Sequence, residues 1–364
     1  MVVMQTRQWQ INKPQSIIFD LIKMLLMLEV VLGHAAALNF QKLSEISTQG
    51  FIGYLIIFIK MLASNGREAA FQFVFISGFF SAQGLFSSKP DTTFVNRVNK
   101  RLSRLYPVIV IALLLTIMLD YIGMNYVYAD IYYFNNLNLN VVNHNGVVMF
   151  LGNLLSLQPT FCATFGSNGP IWTIGYLVQF YVITCIILQL NISNIIFNYM
   201  LCLFFALLIG VIFKFEFCLL YLLWLLGLYF RTQYHRITLN IPAWIAFFII
   251  MIVLFLSKLG GYYVSVLFSP ILAGILLVLS KKSISIKFFL AHDFRKNSNF
   301  YFVLYLIHMP VLFFTLACLQ SITANIEFND DYTMQIIRFI ISTSVALFAA
   351  AVVNMLLQLN ADAN

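Results

Sequence analysis

The feature that most restricts this chain is the recurrence, from Ile17 to Leu357, of apolar stretches separated by short polar breaks. Each is about as long as the 20 or so residues an α-helix needs to cross a bilayer. In hydrocarbon, every backbone N–H and C=O must find its partner inside the protein, so stretches of this kind fold as helices. Composition points the same way, with 61% hydrophobic and 9% charged residues, where a soluble domain carries about a quarter charged. Too little polar surface is available to face water. The expected fold is all-α, a polytopic transmembrane helix bundle forming a single domain over residues 1–364. No Pro-rich or Gly/Ser linker, low-complexity tract or internal repeat divides it.

The apolar runs place helices at about 17–38, 69–87, 105–122, 170–190, 196–213, 217–231, 239–257, 262–280, 299–319 and 334–357. This makes about ten spanning helices. The net charge of +8 would suggest nucleic acid in a soluble protein, but here the position of the basic residues counts for more than their sum. With the N-terminus inside, one side receives Arg7 and Lys13, then Lys89, Arg97, Lys100, Arg101 and Arg104, then Arg231 and Arg236, then Lys281, Lys282, Lys287, Arg295 and Lys296. The other side receives Lys42, Lys214 and Lys258 with the acidic Glu327, Asp330 and Asp331. The positive-inside rule then puts both termini and the Ser88–Arg104 segment in the cytoplasm.

Two apolar stretches, Phe51 to Leu62 and Val147 to Leu157, are too short for ordinary spans and read as interfacial or re-entrant pieces on the outer side. If both spanned, about twelve helices would cross. The first apolar run ends in Ala35-Ala36-Ala37 and so resembles a cleavable signal, but Asp20, Lys23 and Glu29 within it argue for a retained helix. The five cysteines, Cys162, Cys185, Cys202, Cys218 and Cys318, show no ligand or disulfide spacing, so neither a metal site nor a disulfide framework is expected.

Ionisable residues in a spanning helix cost about 2.5–3.5 kcal/mol each at its centre and must face protein or water. In helix 1, Lys23 and His34 share one face about 16 Å apart along the axis. Asp20 stands one turn before Lys23, where an i, i+3 ion pair lowers the cost of burying both. His34 reads equally as a proton-transfer group and as a hydrogen-bonded packing residue. Glu29 points away from both.

Arg97, Arg101 and Arg104 fall at i, i+4 and i+7 at the start of helix 3, so they form one helical face at the cytoplasmic surface. Such a run commonly sets topology or touches anionic lipid. Its guanidinium forks also suit a phosphate clamp. Ser77 beside Gly78 reads first as close-packing material. His308, before Pro310, either orients a substrate or bonds to a neighbouring helix. Tyr106, Trp172 and Tyr305 suit interfacial anchoring, and Arg67-Glu68 reads as a surface ion pair in preference to part of an acceptor vestibule.

Five ordered motifs carry a family resemblance: Phe19-Asp20-Leu21-Ile22-Lys23 with His34, Phe75-Ile76-Ser77-Gly78-Phe79-Phe80, Arg101-Leu102-Ser103-Arg104-Leu105-Tyr106-Pro107, Pro170-Ile171-Trp172-Thr173-Ile174 and Tyr305-Leu306-Ile307-His308. With them the chain resembles the acyltransferase-3 family of membrane acyl-group transferases. The resemblance implies transfer of an acetyl or similar short acyl group from cytoplasmic acyl-CoA to a hydroxyl of a cell-surface glycan or lipid-linked saccharide. The setting it implies is a bacterial cytoplasmic (inner) membrane. It gives His34 the central role, as general base or acyl carrier, with Lys23 beside it as the second catalytic position. Arg97, Arg101 and Arg104 become the phosphate site for acetyl-CoA, supported by Asp20, Ser77, Trp172, Tyr305 and His308. No metal and no nucleic acid enter this reading.

The chain departs from the family pattern at two places. The family's Arg eleven residues before the His is Lys23 here, which keeps the charge and loses the planar fork. Leu177 stands where many members carry Glu. A transporter or flippase using Asp20, Lys23, Glu29 and His34 as an ion or proton pathway is the alternative from another class. A non-catalytic scaffold with the same fold is a third.

Overall fold

The computed structural model describes residues 11, 13–42, 46, 50–86, 93–127, 141–190, 194–237, 242–281, 294–323 and 332–362. Arg7, Ser88, Lys89, Lys282, Lys287, Glu327, Asp330 and Asp331, which entered the topology argument, lie outside the described residues. The helices are α1 (Lys13–Asn39), α2 (Phe51–Leu62), α3 (Gly66–Phe86), α4 (Phe94–Tyr126), α5 (Val147–Leu154), α6 (Trp172–Gln189), α7 (Ile195–Ile212), α8 (Phe215–Gln233), α9 (Ala243–Leu259), α10 (Gly261–Leu279), α11 (Phe294–Thr323) and α12 (Tyr332–Asp362). No strand occurs among the described residues. The protein is an all-α integral membrane bundle.

Each of the ten expected segments coincides with a helix among the described residues. Among the described residues, seven stretches are long and apolar enough to cross a membrane: 51–86, 94–126, 169–189, 215–236, 261–279, 299–322 and 332–358. Ile196–Ile212 and Trp244–Leu259 are apolar but shorter, and α1 has 27 residues with Asp20, Lys23 and Glu29 among them. The short apolar stretch at 51–62, expected as an interfacial or re-entrant piece, is a helix that a single 3-10 turn, Ala63–Asn65, carries into α3. Helix α4 begins at Phe94, well before the expected 105, so the basic cluster lies on the helix itself.

Without a hydrophobic drive between helices in lipid, close backbone approach at small residues holds a bundle together. A Cβ on Gly78 of α3 would stand 2.0 Å from the Trp224 carbonyl oxygen, and one on Gly227 of α8 would stand 1.9 Å from that of Phe75. Helices α3 and α8 are therefore seated on each other through reciprocal glycines, which supports the packing reading of Ser77-Gly78. Helix α1 meets the turn that leads into α3 in the same way, since a Cβ on Gly33 would lie 2.9 Å from the Ala63 carbonyl oxygen. On its other side α1 packs against α11. Helix α11 is the central post, with 78% of its apolar window buried, whereas α12 is peripheral with 17%.

Candidate active site

Helix α1 carries polar groups at both ends, and the bundle treats them differently. Near its start, Lys23 Nζ lies 2.6 Å from Asp20 Oδ1 and 4.9 Å from the centre of the Phe80 ring, so the expected i, i+3 pair forms. Both residues line a small pocket of about 210 Å3 with Arg104, Asn299 and Tyr301. Glu29 accepts a hydrogen bond of 3.1 Å from the backbone N–H of Asn65. The residue that sequence left unassigned thus ties α1 to the turn between α2 and α3, one of the orphan donors at a helix start.

His34, half-buried toward the other end of α1, faces His308 of α11 with ring centroids 5.4 Å apart and planes inclined by 32°. His308 is fully buried. Its Nδ1 lies 2.7 Å from the Tyr305 carbonyl oxygen, and because a carbonyl only accepts, Nδ1 carries the hydrogen. Its Nε2 is buried with no partner. Tyr305, expected as an interfacial anchor, is instead a buried strut: its hydroxyl is 2.6 Å from Thr173 Oγ1 and donates to the Pro170 carbonyl at 3.3 Å.

Pro310 explains a further contact. It has no N–H to offer the carbonyl of Leu306, four residues earlier. Asn168 Nδ2 donates to that freed oxygen at 2.9 Å and to Thr116 Oγ1 at 3.3 Å. Beside it, Asp120 of α4 accepts from the backbone N–H of Ser167 at 2.8 Å and from the Ser167 hydroxyl at 2.6 Å. The loop before α6, which carries Pro170 and leads into Trp172, is thereby pinned to α4 and α11. Sequence reasoning missed Asp120, 1% exposed; its signal was a lone acid within an apolar run.

Two cavities open on His34. One, of about 590 Å3, is bounded by Pro159, Tyr176, Glu216 and Tyr262. The other, of about 470 Å3, is bounded by Val30, Lys60, Arg67 and Tyr305. Both share His34, Ala37, Pro170 and Trp172. The Arg67–Glu68 pair meets the surface on one side only: Arg67 is exposed, whereas Glu68 is 1% exposed and accepts from Arg67 Nη2 at 3.0 Å and from the Ser265 hydroxyl at 2.8 Å. Arg67 lines the second cavity, and Glu68, which does not, is its ion-pair partner. Glu216, which sequence reasoning passed over, is the acid of the first cavity.

The basic cluster divides where its spacing suggested one face. Arg101 turns into the bundle, donating from Nη1 to Ser81 Oγ at 2.8 Å and from Nη2 to Ser77 Oγ at 3.1 Å, with its guanidinium 4.5 Å from the centre of the Tyr181 ring. Ser77 is thus an acceptor for a guanidinium. Arg97 donates to the Leu85 carbonyl at 3.3 Å. Arg104 is exposed. Of the three, Arg104, together with Lys23, stands at the rim of a pocket where phosphate oxygens could be met. Lys281 donates to the Ile237 carbonyl at 2.7 Å and sits 4.2 Å from the centre of the Tyr234 ring. Burial, with Arg231 nearby, lowers its affinity for a proton. Leu177, at the position where many relatives of the resemblance carry an acid, is buried.

The geometry joins the His34 imidazole to cavities large enough for small-molecule chemistry, and sets a pocket lined by Asp20, Lys23 and Arg104 further toward the start of the same helix. No curated protein and no solved structure matches the chain. A family model described as an acyltransferase domain matches residues 17–355, nearly the whole chain, and the protein accordingly belongs to the acyltransferase-3 family and is a membrane acyltransferase.

Proposed function

We propose that the protein transfers an acetyl or similar short acyl group from cytoplasmic acyl-CoA to a hydroxyl of a cell-surface glycan or its lipid-linked precursor, in a bacterial cytoplasmic membrane. The observation that carries this reading is that both cavities are bounded by His34, Ala37, Pro170 and Trp172, and of these only His34 can take up a proton. A base at the junction of two spaces can meet a donor arm in one and an acceptor hydroxyl in the other. His34 acts as general base on the acceptor or accepts the acyl group itself.

The donor end rests on Lys23 and Arg104, which line the pocket at the start of α1. Their cations suit the phosphates of CoA. About 16 Å along the helix axis then separates that pocket from His34, a gap for the pantetheine arm or a relay to cover. The test is incubation of the purified protein with radiolabelled acetyl-CoA and candidate glycans. Label appearing in glycan is the expected result. Label remaining in acetyl-CoA with every acceptor would overturn the reading and return the transporter and scaffold alternatives.

A further inference from the structure

Fully buried imidazoles usually satisfy both ring nitrogens. His308 does not. Its Nδ1–H is spent on the Tyr305 carbonyl, which leaves the lone pair on Nε2, and that atom is buried without a donor in a ring 5.4 Å from the ring of His34. The orientation is imposed from outside the pair. Tyr305 is held at its hydroxyl by Thr173 and Pro170, and the turn of α11 that follows is held by Asn168 at the carbonyl that Pro310 leaves free. So much structure spent on holding a ring with one bare nitrogen beside a neighbouring histidine calls for a proton to be received there.

We propose that His308 is the proton acceptor for His34, a positioning residue that acts through His34 and does not touch substrate. The inference rests on the functional reading above and deepens it. At 5.4 Å between ring centres, a change of the His34 side-chain torsions or one bridging water completes the link. The step balances as follows. The acceptor O–H proton passes to the cavity-facing nitrogen of His34 while the other N–H proton of His34 passes to Nε2 of His308. The hydroxyl oxygen bonds to the acyl carbon, the donor C–S bond breaks, and the departing thiolate recovers a proton from the pair. Both imidazoles end neutral, with ester and free thiol as products. The same transfer serves if His34 is first acylated, since an imidazole that loses its N–H is the better nucleophile.

The test uses the full-length protein in lipid nanodiscs. In His308→Ala, kcat for acetyl transfer should fall by about 10²-fold or more, the scale of lost general-base assistance, with KM for acetyl-CoA unchanged and partial recovery on adding free imidazole. His308→Gln, which keeps bulk and hydrogen bonding, should be as slow and melt like the unaltered protein. A kcat equal to that of the unaltered protein in either variant, or a change confined to KM, would overturn the proposal. Nitrogen-15 NMR of histidine-labelled protein gives a readout independent of turnover. His308 should show a protonated Nδ1 and a bare Nε2 that responds to His34→Gln; a protonated Nε2 would overturn the pair even in an active enzyme. If the unaltered protein transfers nothing, the functional reading fails by itself and the NMR result still decides whether the imidazoles are coupled.

Discussion

The two ends of α1 are built from similar materials and put to different use. At the Lys23 end the charges are short-circuited: Lys23 pairs with Asp20, Arg101 is forked between two serine hydroxyls, and the pocket that Lys23 lines with Arg104 holds about 210 Å3. At the His34 end the ring opens to cavities of about 590 and 470 Å3, and its buried neighbour His308 retains an unpartnered nitrogen. Satisfied groups hold a structure, whereas a group held in place but left unsatisfied keeps its capacity for chemistry. On this comparison the Lys23 end should answer to mutation mostly in stability and donor affinity, and the His34 end in rate.

The sharpest way to break the comparison is at His34. His34→Ala and His34→Gln should each lower the rate of acetyl transfer by about 10²–10⁴-fold while expression, insertion and melting temperature stay near those of the unaltered protein. A purified variant working at the normal rate would remove His34 from its central place.

Arg101 and Arg104 come next, because only one of them faces inward. Arg101→Ala strips a charged partner from Ser77 and Ser81 and should destabilise the fold by about 2–3 kcal/mol, read as a lower melting temperature. Arg101→Lys should not recover it, since a single ammonium cannot reproduce the planar fork. Arg104→Ala should leave the melting temperature alone and raise KM for acetyl-CoA with kcat little changed, the signature of lost uniform binding. Reversed behaviour of the two arginines would mean that Arg101 turns outward to the donor, and the contrast between the two ends would lose its basis.

A smaller effect is expected at Glu29. Glu29→Ala leaves the Asn65 N–H without its acceptor and should cost about 1 kcal/mol, the scale of a lost helix N-cap. Glu29→Gln, which can still accept, should cost less. Equal losses would show that the charge of Glu29 matters and not its hydrogen bond.

The smallest effect belongs to the Lys23 pair. An i, i+3 pair of this kind is worth about 0.2–0.5 kcal/mol, so Lys23→Ala should barely move the melting temperature, and any loss of activity should appear in the acetyl-CoA KM. Lys23→Arg should be tolerated throughout. A collapse of kcat in Lys23→Ala would place Lys23 in the chemistry of the His34 end and erase the distinction between the two.

Much of the bundle was legible because a bilayer leaves the chain few choices. Apolar length and the need to pair every backbone polar group locate helices without any knowledge of their neighbours. Local spacing also located the Asp20–Lys23 pair, whose geometry is internal to one helix. The arginine cluster shows where that logic stops. The i, i+4, i+7 pattern defines a face of α4, but nothing in it says that Ser77 and Ser81 of α3 will meet Arg101. Tyr305 and Glu68 were placed at a surface for the same reason: a polar or amphipathic residue type predicts an interface only until a neighbouring helix covers it.

Sequence alone therefore determined the class of fold, the positions of the helices, the face shared by Lys23 and His34, and the resemblance that the family match bears out. Only the tertiary structure decided that His34 looks at His308, that Asp120 and Asn168 pin the loop leading into Trp172, and that Glu68 is buried. Helical periodicity states which residues point the same way, because rise and turn are properties of the backbone. What they point at is set by which helices lie side by side, and here that was fixed by reciprocal glycine contacts between distant segments, such as Gly78 with Gly227, whose partners no local pattern names.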